Sequence, residues 1–391
     1  MGNKAMKIED ICKVSSSKRI FAREYVETGV PFWRGKEVTE HATGKNDSKG
    51  LFISAKRYNE LKQTGNVPSD DDVLITAVGT IGSIYQIKHE DLPFYFKDGN
   101  IIRLSNWNTD RVNPTYVSLF LRSQIGQQAI KEVEIGSTQK ALTIKDIAKV
   151  PILLPELKTQ NDIVAAIGVI DAKIKINQQI NKNLLRLCRI QFNRVKLACS
   201  STTDLSNIAV LMMGQSPKGN TYNQKGEGTP LLNGAADFRG GINPSKYTSD
   251  PKKVTKPGDY VFGVRATIGL TTKVFGRYAI GRGTGLARSL KPESDELLYF
   301  ILEDSFDYFS HAATGSVYPN VSRKDFETYS SPAFSDNSQR VFHSFAAPLM
   351  EKIYQNETQN KKLTQIRDIL LPKLLSGSVD LSGIEEAMKN A

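Results

Sequence analysis

The chain has 391 residues, which favours two domains over one core, and its 39% apolar and 24% charged residues exclude a disordered protein. Its 52 Lys and Arg exceed its 41 Asp and Glu, a formal net charge of +11, so the basic excess either serves solubility or attracts a polyanion such as nucleic acid. Three cysteines without CxxC spacing, and no apolar run of signal-core or transmembrane length, argue against a disulfide framework, a zinc site or a membrane protein, and we expect a cytoplasmic one.

The first part of the chain is predicted to form an α+β unit. Strand-like runs bounded by Gly and Asp turns come first, and they include Val30–Trp33 and the run that begins at Asp72. A helix over about 115–132 and a short strand near 150–154 follow. These elements predict a first domain over residues 1–155.

A long stretch with few helix breakers comes next and predicts one helix over about 157–197. Its residues recur at alternating spacings of four and three, which is the a/d pattern of a coiled coil. The pattern runs through Ile163, Ile167, Ile170, Ile174, Asn177, Asn181, Leu184 and Cys188. We assign residues 156–197 to a first spacer helix.

The second part of the chain repeats the first. VPFWRG at 30–35 aligns with TPLLNG at 229–234, and DVLITAVGTIG from Asp72 aligns with DYVFGVRATIG from Asp259. A helix predicted over about 296–313 precedes Gly315-Ser316, as the first helix precedes Gly136-Ser137. Because the matches keep their order, chance is a poor explanation, and we expect a second α+β domain over 198–334.

A second heptad helix is predicted over about 336–376, with residues 335–378 as the second spacer and 379–391 as a tail. Its a/d positions are Phe342, Ala346, Leu349, Ile353, Asn356, Asn360, Leu363 and Arg367. Asn at such positions costs stability but specifies register, because it needs a polar partner. Antiparallel helices about a pseudo-twofold axis would pair Asn177 with Asn360 and Asn181 with Asn356. The alternative is two unrelated bundle helices with solvent-facing asparagines.

Motifs that suggest catalysis lack the context that they need. Asn113-Pro114-Thr115-Tyr116 resembles the target-base loop of amino-methyltransferases, but it lacks the second Pro and is typical of a helix start. The glycines at 281, 283 and 285 precede a strand rather than a helix, which argues against a dinucleotide site. Asp70–Asp72 is interpreted as a turn, and the four histidines show no metal spacing. We therefore predict no catalytic residue, metal or cofactor in this chain.

The candidate ligand is DNA, because basic and amide side chains cluster in predicted loops. Arg, Asn and Gln read base edges, whereas Lys mostly neutralises phosphate. For any one of these residues a solvated surface charge is the alternative. The polar loops at 136–140 and 315–318 are better candidates, because they lie at the same place in both units. The candidates in the first half are Lys18, Arg19, Arg34, Lys36, Lys56, Arg57, Thr80, Ser137, Thr138, Gln139 and Lys140. Those in the second half are Lys218, Asn220, Asn233, Arg239, Arg265, Thr267, Arg282, Ser316, Tyr318, Asn320 and Arg323.

The ordered set of motifs resembles the specificity subunit of Type I restriction-modification systems, over nearly the whole chain. It comprises the two VPFWRG-type strands, the two DVLITAVGTIG-type runs, the two heptad helices and the ending LLPKLLSG at 370–377. The first half lacks that ending and has Gln191-Phe192-Asn193 instead. The halves are therefore not fully interchangeable.

The resemblance implies a non-catalytic subunit with two target-recognition domains, held apart by an antiparallel coiled coil, that each read one half of a split site in double-stranded DNA. It also implies two modification subunits that supply S-adenosylmethionine and adenine N6 methylation, and restriction subunits that supply ATP- and Mg-dependent cleavage. The alternatives are a specificity subunit of a methyltransferase-only system and a repurposed two-domain DNA-binding module.

Overall fold

A computed structural model of the chain describes residues 4–44, 50–136, 140–265, 267–312 and 321–379. The chain divides into two compact units, one from residues 1–174 with 361–391 and the other from residues 175–360. The division cuts both long helices, because each helix contributes one part to each unit. Within the described ranges, no helix is both long enough and apolar enough to cross a membrane.

The first half of the chain supplies the strands and short helices of the first unit. Its strands are β1 (Lys4–Lys7), β2 (Lys13–Ser15), β3 (Tyr25–Val26), β4 (Val30–Trp33), β5 (Leu51–Ile53), β6 (Val73–Thr76), β7 (Ile84–Gln86), β8 (Tyr95–Phe96), β9 (Ile101–Ser105) and β10 (Pro151–Leu154). Its short helices are α1 (Gly35–Ala42), α2 (Ala55–Gln63), α3 (Pro114–Arg122), α4 (Gln124–Glu132) and α5 (Ile144–Ala148). The first long helix, α6, spans Leu157–Leu197.

The second half supplies the corresponding elements of the second unit. Its strands are β11 (Thr202–Asp204), β12 (Ala209–Met213), β13 (Tyr222–Asn223), β14 (Thr229–Leu232), β15 (Lys246–Thr248), β16 (Tyr260–Arg265), β17 (Thr267–Lys273), β18 (Ala279–Ile280), β19 (Thr284–Ser289) and β20 (Ser330–Pro332). Its helices are α7 (Asp295–Ala312), α8 (Arg323–Glu327) and the second long helix α9 (Asp336–Leu375).

Both units contain the same three sheets in the same strand order. The central sheet is β2-β9-β6-β7 in the first unit and β12-β19-β16-β17 in the second. The second sheet is β3-β5-β4-β8 or β13-β15-β14-β18, and in both its last pair is parallel. The two-stranded sheets are β1-β10 and β11-β20. The internal repeat that the motifs predict is thus a repeat of topology.

The helices of the first half differ from the prediction. The single helix expected over 115–132 is two helices, because Ser123 has an extended backbone and its Oγ accepts a hydrogen bond from Gly126 N at 3.2 Å. A Cβ at Gly126 would lie 2.1 Å from Phe120 O, so this break is tight. Helices α1, α2 and α5 were not predicted, and a single 3-10 turn at Ala235–Asp237 takes the place of α1 in the second unit.

The long helices pack into the core of each unit. In the first unit, Ile163 and Ile167 of α6 share one core with Leu371 and Leu374 of α9. In the second unit, Phe192 near the end of α6 shares a core with Phe342 near the start of α9. In the second unit the rings of Phe192 and Phe342 lie 6.1 Å apart and Asn177 bonds to Asn360, so its two helical segments run antiparallel. Each buried Leu contributes roughly 1.5–3 kcal/mol.

The LLPKLLSG segment ends α9 with a Schellman motif. Gly377 has a φ of 72°, which favours glycine, and its N–H donates to Leu374 O at 3.2 Å. The N–H of Ser378 donates to Lys373 O at 3.0 Å. These bonds satisfy the last carbonyls of the helix, while Leu374 and Leu375 pack into the core of the first unit.

Candidate nucleic-acid interface

Two loops meet at one edge of the second unit. The N–H of Gly281 donates to Leu232 O at 2.8 Å, and the N–H of Gly283 donates to Asn233 O at 3.1 Å. A Cβ would lie 2.2 Å from Asn233 Oδ1 at position 281, and 2.3 Å from Asn233 O at position 283. The two glycines are therefore required for the close approach of this loop to Asn233, which explains the GRGTG sequence without a nucleotide.

Two further segments reach the same edge. Val264 N donates to Gly283 O at 3.1 Å and so brings Arg265 beside the loop, while Gln215 N donates to Ile280 O at 2.9 Å. Gln215, Asn233, Arg265 and Arg282 form what we call the second-unit loop cluster. All four are exposed, and their side chains have no hydrogen-bond or ion-pair partner among the described residues.

The first unit has an equivalent arrangement. Lys97 N donates to Trp33 O at 2.9 Å, and Ala77 N donates to Asn100 O at 2.8 Å. Lys18 N donates to the hydroxyl of Tyr95 at 2.8 Å, next to the same loop. Lys18, Arg34, Lys97 and Asn100 form what we call the first-unit loop cluster. Lys18 is exposed and the other three are half-buried.

Arg34 is held in place by Glu37. Its Nη2 lies 2.6 Å from Oε1 of Glu37, and its Nε donates to Oε2 at 3.1 Å. Burial alone would raise the pKa of Glu37, but the hydrogen bonds from Arg34 hold that pKa below its usual value. The ion pair thus fixes the position of the Arg34 guanidinium and partly neutralises its charge.

The structure brings three of the predicted candidates together in the second unit and two in the first. Gln215, Lys97 and Asn100 were missed by the sequence analysis. Gln215 could have been found by the repeat, since the strand registers of the two central sheets make it the counterpart of Lys18. Lys97 and Asn100 could be found only from the meeting of two distant loops.

Several other candidates are engaged within the protein. Arg57 lies between Glu24 at 2.9 Å and Glu60 at 3.1 Å. Lys140 is 2.8 Å from Glu134, and Arg323 is 2.7 Å from Glu327. Arg19 lies over the ring of Phe21 at 5.1 Å. Exposed ion pairs of this kind are weak, so these side chains can exchange partners at little cost.

The remaining candidates are exposed or undescribed. Lys36 is exposed and lies 3.6 Å from Glu40. The other exposed candidates are Lys56, Thr80, Lys218, Asn220 and Arg239. Those outside the described residues are Ser137, Thr138, Gln139, Ser316, Tyr318 and Asn320, and the side chain of Thr267 is likewise not described. The matched polar loops at 136–140 and 315–318 therefore stay a prediction.

Groups that could suggest catalysis have structural explanations. Asn113 caps α3, because its Oδ1 accepts a hydrogen bond from Thr115 N at 2.8 Å and its Nδ2 donates to Asn161 at 2.8 Å. Burial raises the pKa of the Cys12 thiol to about 12 and that of Cys188 to about 11, so neither is a reactive thiolate. Among the described residues, no group of three or more His, Cys, Asp or Glu side chains could hold a metal ion.

The asparagines of the long helices meet within the second unit. Asn177 Nδ2 donates to Asn360 Oδ1 at 2.9 Å, and Asn356 Nδ2 donates to Asn181 Oδ1 at 2.8 Å. Asn177 and Asn356 are 1% and 2% exposed, so these bonds satisfy buried amides. The bonds join the residues that the heptad phase pairs, and the role of this layer in fixing register stays a prediction.

Comparison with known proteins gives matches to one kind of subunit. Residues 2–186 match the family described as the Type I restriction modification DNA specificity domain. The chain is 24% identical over 340 residues to the type I restriction enzyme MjaX specificity subunit of Methanocaldococcus jannaschii, which covers 79% of this chain and 78% of that protein. It is 32% identical over 164 residues to a type I restriction enzyme specificity subunit of Haemophilus influenzae, which covers 42% of this chain and 39% of that protein.

A solved structure shares the fold. The S subunit of a Type-I restriction-modification system from M. genitalium matches with a TM-score of 0.57 and 15% identity, and the match covers 95% of both chains. At this identity the match supports the architecture of two sheet-rich halves with long helices.

Proposed function

We propose that the chain is a Type I restriction-modification DNA specificity subunit, a non-catalytic protein that recognises DNA, and that each of its two units reads one half of a bipartite DNA site. The observation that carries this proposal is the pair of loop clusters. They occupy the same place in two copies of one topology, and they present different side chains there.

The chemistry of the clusters suits two different half-sites. The second-unit loop cluster presents two arginines and two amides, which are the groups that hydrogen-bond guanine and adenine edges in the major groove. The first-unit loop cluster presents two lysines, one amide and the fixed Arg34, a set in which phosphate contacts weigh more. Two domains that recognise different half-sites independently would need the same scaffold with different loop side chains.

We further propose that the long helices form an antiparallel, pseudo-twofold coiled coil that sets the gap between the half-sites. The antiparallel packing of the two helical segments in the second unit supports this arrangement, and so do the asparagine pairs there. Helices of 41 and 40 residues are roughly 60 Å long at 1.5 Å per residue. In this proposal the recognition domains span residues 1–155 and 198–334, and the spacer helices span residues 156–197 and 335–378.

The partners in this scheme are other subunits of a restriction-modification complex. Two modification subunits would bind S-adenosylmethionine and methylate adenine N6 in the site that this chain selects. Restriction subunits, in a system that has them, would use ATP and Mg for translocation and cleavage. A methyltransferase-only system would use this chain in the same way, and its neighbouring genes would distinguish the two cases.

The proposal is tested by Arg282→Ala in cells that carry the modification subunit. Methylome sequencing should show relaxed base choice or lost methylation in one half of the motif, since one base contact is worth about 1–3 kcal/mol. Arg277→Ala is the matched control, because Arg277 is an exposed arginine of the same unit outside the cluster. A change of equal size in both halves would overturn independent reading.

A further inference from the structure

The central sheet of the second unit contains a fully paired buried aspartate. Asp259 is 0% exposed, and the register that places Tyr260 opposite Ala287 places Asp259 opposite Arg288. Nε and Nη2 of Arg288 donate to the two carboxylate oxygens at 2.6 and 2.7 Å. This is the bidentate geometry in which a guanidinium best compensates a carboxylate.

The first unit has the aspartate but not this partner. Asp72 is 4% exposed, and the register that places Val73 opposite Leu104 places Asp72 opposite Ser105. The arginine of this strand is Arg103, which lies two residues earlier on the same face of the sheet. Its Nη1 is 3.6 Å from Asp72 Oδ2 and donates instead to Val67 O.

A cavity of about 340 Å³ lies beside Asp72, lined by Asp70, Asp71, Asp72, Arg103, Ser105 and Trp107 among others. We call it the Asp72 pocket. Ser105 is 2% exposed and Arg103 is 4% exposed, yet Ser105 Oγ and Arg103 Nε have no hydrogen-bond partner among the described residues. Unsatisfied buried polar atoms of this kind are costly, and both residues belong to the lining of this pocket.

The pocket is electrostatically suited to a cation. Its lining contains three aspartates and one arginine, on a chain whose net charge is +11. Burial raises the pKa of Asp72 to about 6 despite the hydrogen bond from Ser69 and the charge of Arg103, so the carboxylate is under-compensated. The indole of Trp107 adds an aromatic wall, which favours a planar cation.

Two lining residues have left-handed backbones. Asp71 has a φ of 64° and lies just before β6, and Asn106 has a φ of 52° and directly follows β9. Asp and Asn adopt this region more readily than other residues with side chains, so these backbones fit the turns at the ends of the two strands.

We propose that the Asp72 pocket binds a guanidinium group, which occupies the place that the side chain of Arg288 fills in the second unit. The group belongs either to a small free guanidine or to an arginine side chain of a partner polypeptide. The bound guanidinium donates to the Asp72 carboxylate and stacks on Trp107. This site is independent of base reading, because it uses none of the loop-cluster residues.

The test is calorimetric titration of the full chain with three compounds. Agmatine represents a free guanidine, and N-acetylarginine N-methylamide represents a polypeptide side chain. The corresponding citrulline compound replaces the guanidinium with an uncharged group of the same shape. We expect at least one guanidinium compound to bind at least tenfold more tightly than the citrulline compound, and the tighter of the two identifies the source.

The variants come from the chain itself. Asp72→Asn should weaken binding at least tenfold, and Ser105→Arg should abolish it by filling the pocket with the arginine that the second unit has. Asp259→Asn, the matched control, should bind as the wild type does, and circular dichroism verifies that each variant is folded. The proposal would be overturned if neither guanidinium compound binds more tightly than the citrulline compound, or if folded Ser105→Arg binds as the wild type does.

Discussion

Asp72→Asn is expected to stabilise the first unit at neutral pH. A folded-state pKa of about 6 against an ordinary 3.8 corresponds to about 3 kcal/mol at 1.36 kcal/mol per tenfold change in proton affinity. Between these two pH values the folded chain holds a proton that the unfolded chain has released. The free energy of unfolding therefore falls as pH rises through this window, and the full cost applies above pH 6. Asn resembles the protonated acid, so the variant should gain up to about 3 kcal/mol at pH 7.

Tryptophan fluorescence measures this effect in one unit alone. The chain has two tryptophans, Trp33 and Trp107, and both lie in the first unit. Urea unfolding without added ligand, at pH values from 4 to 8, should show a wild-type stability that falls through the window and a variant stability that does not. The exposed Asp110 of the same unit provides the control Asp110→Asn, which should keep the wild-type pH dependence because Asp110 is not among the charges that act on Asp72. If Asp72→Asn also keeps it, or is destabilised at pH 7, the reasoning on burial is refuted.

Three further predictions concern the helices and the ligand. Asn181→Leu should lower the free energy of unfolding by about 1–3 kcal/mol, because it leaves the buried amide of Asn356 without its acceptor. The control Asn183→Leu, at an exposed position, should change it by less than about 0.5 kcal/mol. Thermal unfolding followed by circular dichroism measures both variants. DNA affinity of the assembled methyltransferase should fall by orders of magnitude between low and moderate salt in anisotropy titrations, and a flat salt dependence would contradict DNA as the ligand. Deleting one heptad from both long helices, at matched positions outside the asparagine layer, should shorten them by roughly 10 Å. The methylome should then show unchanged half-sites, a gap about three base pairs shorter and weaker methylation. Full methylation at the original gap would show that the helices do not set the distance between the half-sites.

The repeat and the long helices could be predicted because their signals are local and periodic. The heptad pattern predicts a helix over 157–197, and α6 has these bounds. The matched motifs around Asp72 and Asp259 fall in the same strand of equivalent sheets. The predicted break-free helix over 115–132 was wrong, because the Ser123 cap is a single polar residue inside an otherwise helical pattern.

The composition of the loop clusters could not be predicted, because it depends on contacts between distant segments. Gln215 reaches the cluster through a bond to Ile280, and Asn100 through a bond to Ala77. The pairing of Arg34 with Glu37 was not predicted, because it depends on the unpredicted helix α1, and it changes how that arginine can be used. The different partners of Asp72 and Asp259 follow from strand register, which the motifs alone do not fix.

The central claim, that each unit reads its own half-site, is tested most directly by methylome sequencing of two matched variants. Asn100→Ala and Asn233→Ala remove the one asparagine of each loop cluster, and each is expressed beside the modification subunit. The account predicts that Asn100→Ala alters base choice or methylation in one half of the motif and that Asn233→Ala alters only the other half, with the gap unchanged in both. If both variants alter the same half, or each alters both halves equally, the two units do not read DNA independently.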